Sequence, residues 1–215
     1  MIAGDRLAAF IVACVAIILA PGPSVMFVLA RAIAWGRWVA WLTAAGNALG
    51  MLALACVIAV GLGPLFQRSA VLLEVVQVAG GIYLIYLGVD ALRRRQTQAA
   101  EMLQVEDTRP TTWRILREGF LVGGLNPKAL IFFSAVFPQF LDPGGSSVTV
   151  QLLLFGVIFS VLCLLLDGSW GLLVGSGRDW FATSPARLII LRIVGGIVMI
   201  LLGVLVLIPL ALSHL

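Results

Sequence analysis

The sequence has little charge, one histidine and three cysteines. Charged residues make up 11% of the 215 residues and hydrophobic residues 61%, whereas ordinary soluble domains carry about 25% charged residues. This shortage of charge excludes a soluble globular domain. A single histidine, His214, leaves no histidine cluster for a metal ion, and the sequence has no glycine-rich nucleotide loop or Ser/His/Asp set. We therefore expect neither an enzyme nor a cofactor.

Six apolar segments are long enough to cross a bilayer, which takes about 20 residues for about 30 Å of hydrocarbon. The first segment follows a charged start, but Ile18 and Pro21 do not fit a signal-peptide cleavage site, so we expect it to be a retained helix. The sequence thus predicts an all-α integral membrane protein with six transmembrane helices. The segments are 7–30, 40–63, 71–90, 118–141, 148–174 and 188–210.

The basic residues are distributed unevenly between the two sides of these helices. Eleven of the 14 lysines and arginines lie beside the loops that follow the first, third and fifth segments, two lie on the other side, and Lys128 lies within a segment. By the positive-inside rule the arginine-rich loops face the cytoplasm and both termini lie outside. Because the charge is spread over three loops, it indicates topology, and no nucleic-acid partner is expected.

Two of the predicted helices contain proline interruptions. Asn126-Pro127-Lys128 interrupts the fourth segment and Pro21-Gly22-Pro23 interrupts the first. Proline removes a backbone donor and clashes with the preceding turn, and a broken helix is tolerated in a bilayer only where protein or a water-filled cavity surrounds it. An ionisable residue at such a depth indicates a functional site. The alternative is two proline kinks that only shape the packing.

The chain divides into two similar halves around a polar connector. Residues 80–89 and 195–204 share seven identities in ten positions, so we predict a three-helix repeat over 1–92, a cytoplasmic connector over 93–117 and a second repeat over 118–215. Because three is an odd number of crossings, the second copy of the unit crosses the membrane in the opposite direction to the first. Such inverted repeats occur in carriers whose paired broken helices meet at the substrate site. Glycine pairs in these segments permit close helix approach, which could seal one protomer or join a homodimer.

Four interior residues are expected to share one layer near the middle of the bilayer. Counted from the cytoplasmic helix ends at about 1.5 Å per residue, Pro23, Asn47, Lys128 and Asp167 lie at similar depths. Asp167 is the candidate for proton coupling, since burial favours the neutral form of a carboxylic acid; a structural ion pair with Lys128 is the alternative. Asn47 could hold substrate or bind a neighbouring helix.

A cationic side chain beside a helix N-terminus would suit a carboxylate-bearing ligand. The expected partners are therefore a small amino-acid-like substrate, protons and the lipid bilayer. Candidate substrate-binding residues are Pro21, Gly22, Pro23, Asn47, Asn126, Pro127 and Lys128.

Several motifs are shared with a known family. They are Ala20-Pro21-Gly22-Pro23, the run 81–88 followed by Leu92-Arg93-Arg94, Gly119-Phe120, Asn126-Pro127-Lys128, Phe132-Phe133 and Pro138-Gln139-Phe140. In these the chain resembles, over essentially its whole length, the lysine exporter (LysE/RhtB) family of amino-acid efflux carriers. The resemblance implies a six-helix inner-membrane antiporter that exports amino acids or close derivatives in exchange for protons, and it carries over the motif residues at 21–23 and 126–128.

Two other functions remain as alternatives. A membrane thiol oxidoreductase could use Cys14, Cys56 and Cys163, but none lies in a Cys-x-x-Cys or beside a proline break, and buried cysteine is usually an apolar filler. An ion or metal efflux protein would need a cluster of acidic or histidine ligands within the spans, which the sequence lacks.

Overall fold

The computed structural model describes residues 4–20, 22–97, 109–177 and 185–212. Within these ranges the chain is helical and has no strand, which confirms the predicted all-α class. After Ile131 the backbone continues as a π-helical turn, Phe132–Val136, and a 3-10 turn, Phe137–Phe140. The helices are α1 (Gly4–Leu19), α2 (Pro23–Trp35), α3 (Arg37–Arg68), α4 (Ala70–Arg93), α5 (Thr112–Gly124), α6 (Pro127–Ile131), α7 (Val148–Ser176) and α8 (Pro185–Leu212).

Four of these helices are each long and apolar enough to cross a membrane. Two further pairs pass the same test together but are bent: α1 with α2 by 52°, and α5 with the segment Pro127–Phe140 by 42°. The number of spans rises to six when each bent pair is one span, which is the predicted number. The four continuous spans are Arg37–Gly61, Val71–Arg93, Val148–Ser176 and Ala186–Ile208.

Both bends lie at the predicted proline interruptions. Pro23 begins α2 and Pro127 begins α6, the helical position where a missing N–H costs nothing. Asn126 caps α6, since its Oδ1 accepts a hydrogen bond of 2.9 Å from the backbone N–H of Lys128. Each break is therefore a helix end followed by a new helix start, as the prolines predicted.

Helix α3 packs closely against α5 through glycines. A Cβ added at Gly119 would lie 2.5 Å from the carbonyl oxygen of Thr43, and one at Gly123 would lie 2.2 Å from that of Asn47. Real Cβ atoms do not approach backbone this closely, so only glycine fits at these two positions. Helix α3 also packs along α7, and Asn47 is thereby fixed between α5 and α7.

The glycines of the two similar segments face each other between α4 and α8. A Cβ at Gly88 would lie 2.5 Å from the carbonyl oxygen of Gly196, and one at Gly203 would lie 2.6 Å from that of Gly81. Gly80 faces Ala135 of the same chain. Of the two roles left open by the sequence, the glycine faces perform the first: they seal one protomer.

A cluster of phenylalanines fills the bundle on the side where residues 141–147 lead into α7. The ring of Phe10 in α1 stacks on Phe155 at 4.2 Å between centroids and meets Phe137 edge-on at 5.1 Å. The phenylalanine cluster consists of Phe10, Phe132, Phe133, Phe137, Phe140, Phe155 and Phe159. It joins α1 to the fourth predicted span.

Part of the predicted connector lies outside the described residues. Within 93–117, the structure describes 93–97 and 109–117, and α5 already begins at Thr112.

Candidate functional site

The two helix breaks touch each other inside the bundle. The side-chain amide of Asn126 donates a hydrogen bond of 2.9 Å to the hydroxyl oxygen of Ser24. A Cβ at Gly22 would lie 3.0 Å from Nζ of Lys128, so the lysine side chain passes directly over this glycine. We call these two contacts the break contacts; they bring the two interrupted spans together.

Lys128 is buried, with 4% of its surface exposed. Its Nζ donates hydrogen bonds of 2.9 Å to the carbonyl oxygens of Ile17 and Ala20, at the end of α1. The helical partner of the Ile17 carbonyl would be the N–H four residues later, but that residue is Pro21, which has none. The ammonium group thus takes the place of the missing backbone donor, and it lies at the negative end of the α1 dipole.

Asp167 is buried in α7, with 1% of its surface exposed. Its Oδ2 accepts hydrogen bonds from Nδ2 of Asn47 at 3.0 Å and from Sγ of Cys163 at 3.1 Å. No group within the described ranges donates to Oδ1 of this carboxylate. Oδ1 of Asp167 is therefore a hydrogen-bond acceptor without a donor in the described structure, whereas most buried polar groups in proteins have a partner.

Lys128 and Asp167 border the same small cavity. It leaves about 10 Å³ for the centre of a water molecule, which is room for about one water. Neither charged group pairs directly with the other, because the ammonium bonds the α1 carbonyls and the carboxylate bonds Asn47 and Cys163. The cavity is bordered by Ile17, Ile18, Ser24, Val25, Met51, Lys128, Ala129, Phe132, Phe159, Cys163 and Asp167, all of them buried.

The other predicted site residues occupy different positions around this cavity. Gly22 and Asn126 take part in the break contacts, and Asn47 contacts two residues that border the cavity, Asp167 and Cys163. Pro127 is half-buried at the start of α6, whereas Pro23 is exposed at the start of α2. Pro21 lies outside the described residues.

Two cavity residues with polar side chains, Ser24 and Cys163, were missed by the sequence reasoning. Ser24 directly follows the proline motif, and a hydroxyl next to a helix break was a usable signal. Cys163 precedes Asp167 by four residues on one helix, a spacing that places both side chains on the same face. Its thiol contacts the carboxylate and the Asn47 amide, at 3.4 Å from Nδ2, so it is more than an apolar filler.

The two alternative functions gain no support from the site. Cys14, Cys56 and Cys163 are free thiols, and Cys14 and Cys163 are buried. No group of three or more His, Cys, Asp or Glu residues that could hold a metal ion occurs in the described part of the chain.

A bundle of apolar helices whose two broken spans enclose buried groups of opposite charge is the architecture of a membrane transport protein. The chain belongs to the family of LysE type translocators, whose model matches residues 15–208. The resemblance read from the motifs is thereby confirmed, and the protein is a multi-pass membrane translocator.

Named relatives extend over most of the chain. It is 34% identical to a leucine efflux protein of Klebsiella pneumoniae over 158 residues, which cover 74% of this chain and 70% of the relative. It is 29% identical to a homoserine/homoserine lactone efflux protein of Salmonella typhi, over 87% of this chain and 88% of the relative. An uncharacterized membrane protein of Pseudomonas aeruginosa is 32% identical over 73% of both chains. No solved structure matches the chain.

Proposed function

We propose that this protein exports an amino acid or a close derivative across the inner membrane, in exchange for protons. The observation that carries the proposal is the placement of Lys128 and Asp167 on one buried cavity between two touching helix breaks. Two relatives are named for the efflux of leucine and of homoserine or its lactone. Amino-acid substrates carry both a carboxylate and an ammonium group, which are complementary to this pair.

Lys128 is the proposed partner of the substrate carboxylate. Its ammonium is held by two neutral carbonyl oxygens, whereas a substrate carboxylate carries a full opposite charge, whose attraction to the ammonium is strong in the low-dielectric interior. An entering carboxylate therefore competes favourably for the ammonium. The adjacent Gly22 and Asn126 would line the same position, where Pro23 and Pro127 begin new helices and proline at position 21 supplies no N–H donor.

Asp167 is the proposed site at which a proton and the substrate ammonium compete. Its Oδ1 has no donor in the described structure, so it can accept a bond from either. Asp167 must be ionised when it binds the substrate ammonium on the cytoplasmic side. When the carrier returns without substrate, a proton neutralises Asp167 and so stabilises it in the apolar interior. This alternation would export one substrate for each proton imported.

Alternating access requires the cavity to open to each side in turn. With room for about one water, the cavity is too small for an amino acid, so the structure corresponds to a closed state. Transport then needs the two broken spans to separate first on one side and then on the other.

The break contacts support two inverted repeats. Aligning the prolines that begin α2 and α6 places Gly22 on Asn126 and Ser24 on Lys128. Under this alignment the contact of Asn126 with Ser24 corresponds to the contact of Gly22 with Lys128, with the two halves exchanged. A two-fold axis between the halves produces such an exchange, and an axis in the membrane plane defines inverted repeats.

The glycine contacts between α4 and α8 support the same arrangement independently. The alignment of residues 80–89 with 195–204 places Gly81 on Gly196 and Gly88 on Gly203. The contact of Gly88 with Gly196 then corresponds to the contact of Gly203 with Gly81, with the two halves exchanged. We therefore propose 1–92 and 118–215 as the repeats, with 93–117 as the cytoplasmic connector, so that the arginine-rich side faces the cytoplasm and both termini lie outside.

Efflux from preloaded proteoliposomes tests this function. Purified protein would be reconstituted with labelled leucine, homoserine or other amino acids inside, with and without an acidic exterior. At least one amino acid should leave faster than from protein-free liposomes, and an acidic exterior should accelerate it. Release at the protein-free rate for all amino acids would refute the proposed transport, and release unaffected by the gradient would refute proton exchange.

A further inference from the structure

An ion pair joins the two broken spans on the arginine-rich side of the cavity. Arg31 in α2 donates from Nη2 to Oε2 of Glu118 in α5. The side chain of Arg31 is 9% exposed and that of Glu118 is 28% exposed, so the pair is shielded from most but not all solvent. It connects α2 of the first half with α5 of the second.

Further groups fix both partners of this pair. Nε of Arg114 donates to Oε1 of Glu118 at 2.7 Å. The guanidinium of Arg31 lies over the ring of Phe27 at 4.4 Å from the centroid and over that of Trp35 at 5.3 Å, within the range of cation–π attraction. The two charges are therefore positioned by neighbours on their own helices.

The ion pair lies beyond the break contacts, toward the arginine-rich side. Arg31 follows Ser24 by seven residues and Glu118 precedes Asn126 by eight, so each lies about two helical turns, roughly 10 to 12 Å, from the contact of the breaks. An opening of the cavity toward this side that separates α2 from α5 at this level breaks the Arg31–Glu118 pair.

The opposite side of the cavity is closed by different chemistry. There the phenylalanine cluster packs α1 against Phe137 and Phe155, and Arg6 donates to the carbonyl oxygen of Leu141. The phenylalanine cluster can repack without a particular partner for each ring. In a partly exposed ion pair, by contrast, each charged group can exchange its partner for water. The two sides of the site thus differ in what must break to open them.

We propose that the Arg31–Glu118 pair is the latch that holds the cavity closed toward the arginine-rich side. Its rupture exposes the cavity to that side, and its return seals the cavity behind a bound solute. That the ion pair closes the cavity is inferred from the contacts above. The identity of the solute, an amino acid that enters from the cytoplasm, rests on the proposed function.

Thiol labelling of Cys163 tests the latch, because this native cysteine borders the cavity and is buried. The parent protein would carry Cys14→Ala and Cys56→Ala, so that Cys163 is the sole thiol. A small membrane-impermeant thiol reagent would be added to vesicles of each orientation. In separate variants with Cys163→Ala, Thr112→Cys would mark the arginine-rich side and Gly144→Cys the opposite side; both positions are exposed.

Glu118→Gln removes the charge with little change of shape. We expect it to raise the labelling rate of Cys163 from the Thr112 side by about tenfold, the order of one charge-assisted hydrogen bond, and to leave labelling from the Gly144 side unchanged. Arg31→Gln should do the same, which keeps the test valid if one variant does not reach the membrane.

Asp90→Asn is the matched control. It breaks the ion pair of Asp90 in α4 with Arg94, the residue that directly follows this helix, and should leave Cys163 labelling unchanged. Unchanged labelling in both Glu118→Gln and Arg31→Gln, or an increase only from the Gly144 side, would overturn the latch. Because labelling requires no transport, the latch and the proposed amino-acid efflux can fail separately.

Discussion

Nδ2 of Asn47 donates a hydrogen bond of 3.0 Å to Oδ2 of Asp167. The two residues belong to α3 and α7, each the first continuous span after one of the bent spans, and both are buried. The amide holds the carboxylate in one orientation and leaves its Oδ1 without a donor in the described structure. Asn47 thus binds a neighbouring helix, one of the two roles that the sequence left open for it.

Asp167→Asn should abolish acceleration of efflux by an acidic exterior while substrate exchange is partly retained. The amide keeps the size of the acid and can still bond Asn47, but it cannot take up a proton. Efflux and exchange would be measured in proteoliposomes with and without a pH gradient. Asp142→Asn, on the loop before α7, is the control and should behave as the parent. An unchanged response to the gradient in Asp167→Asn would remove this residue from coupling.

Lys128→Ala should abolish efflux while the protein remains in the membrane. Lys128 is the only lysine of the chain, and its loss removes the proposed partner of the substrate carboxylate. The carbonyls of Ile17 and Ala20 would also lose their donor, at a cost of about 1 to 3 kcal/mol for each unsatisfied group.

The measurement compares efflux per protein with membrane abundance. Arg93→Ala removes an exposed cation from the last turn of α4 and serves as the control, with efflux near the parent rate. Full efflux in Lys128→Ala would exclude a role of the ammonium in substrate binding.

Gly88→Ala should destabilise the protein by about 1 to 3 kcal/mol, the usual cost of overpacking. The added methyl group would lie 2.5 Å from the carbonyl oxygen of Gly196, and α4 and α8 would have to move apart. Thermal unfolding in detergent measures the change. Gly61→Ala in α3 is the matched control, since nothing lies within 4 Å of its Cβ position. Equal melting temperatures for the two variants would contradict the close packing.

The predictions that succeeded depend on local properties of the chain. Proline interrupts a helix wherever it stands, so the bends at Pro23 and Pro127 could be read from the sequence. The count of residues from helix ends placed Lys128 and Asp167 at one depth, and the structure puts both on one cavity. Depth alone could not show that each binds other partners instead of forming an ion pair.

Apart from the contact of Cys163 with Asp167, the missed contacts join residues far apart in the chain. Arg31 was assigned to topology, because nothing near it in sequence indicates that Glu118 lies opposite. Ser24 and Asn126 are likewise more than a hundred residues apart. The glycine segments could be recognised as similar, but not as each other's packing partners.

The sequence by itself determined that this is a helical membrane protein with two interrupted spans, a buried cation and the motifs of its family. These features follow from composition and from the chemistry of single residues, since hydrocarbon excludes unpaired polar groups and proline lacks a donor. Only the tertiary structure decided which groups meet: Lys128 with the end of α1, Asp167 with Asn47, and Arg31 with Glu118. Such pairings depend on how distant helices dock, and docking is fixed by packing over the whole bundle rather than by any one segment.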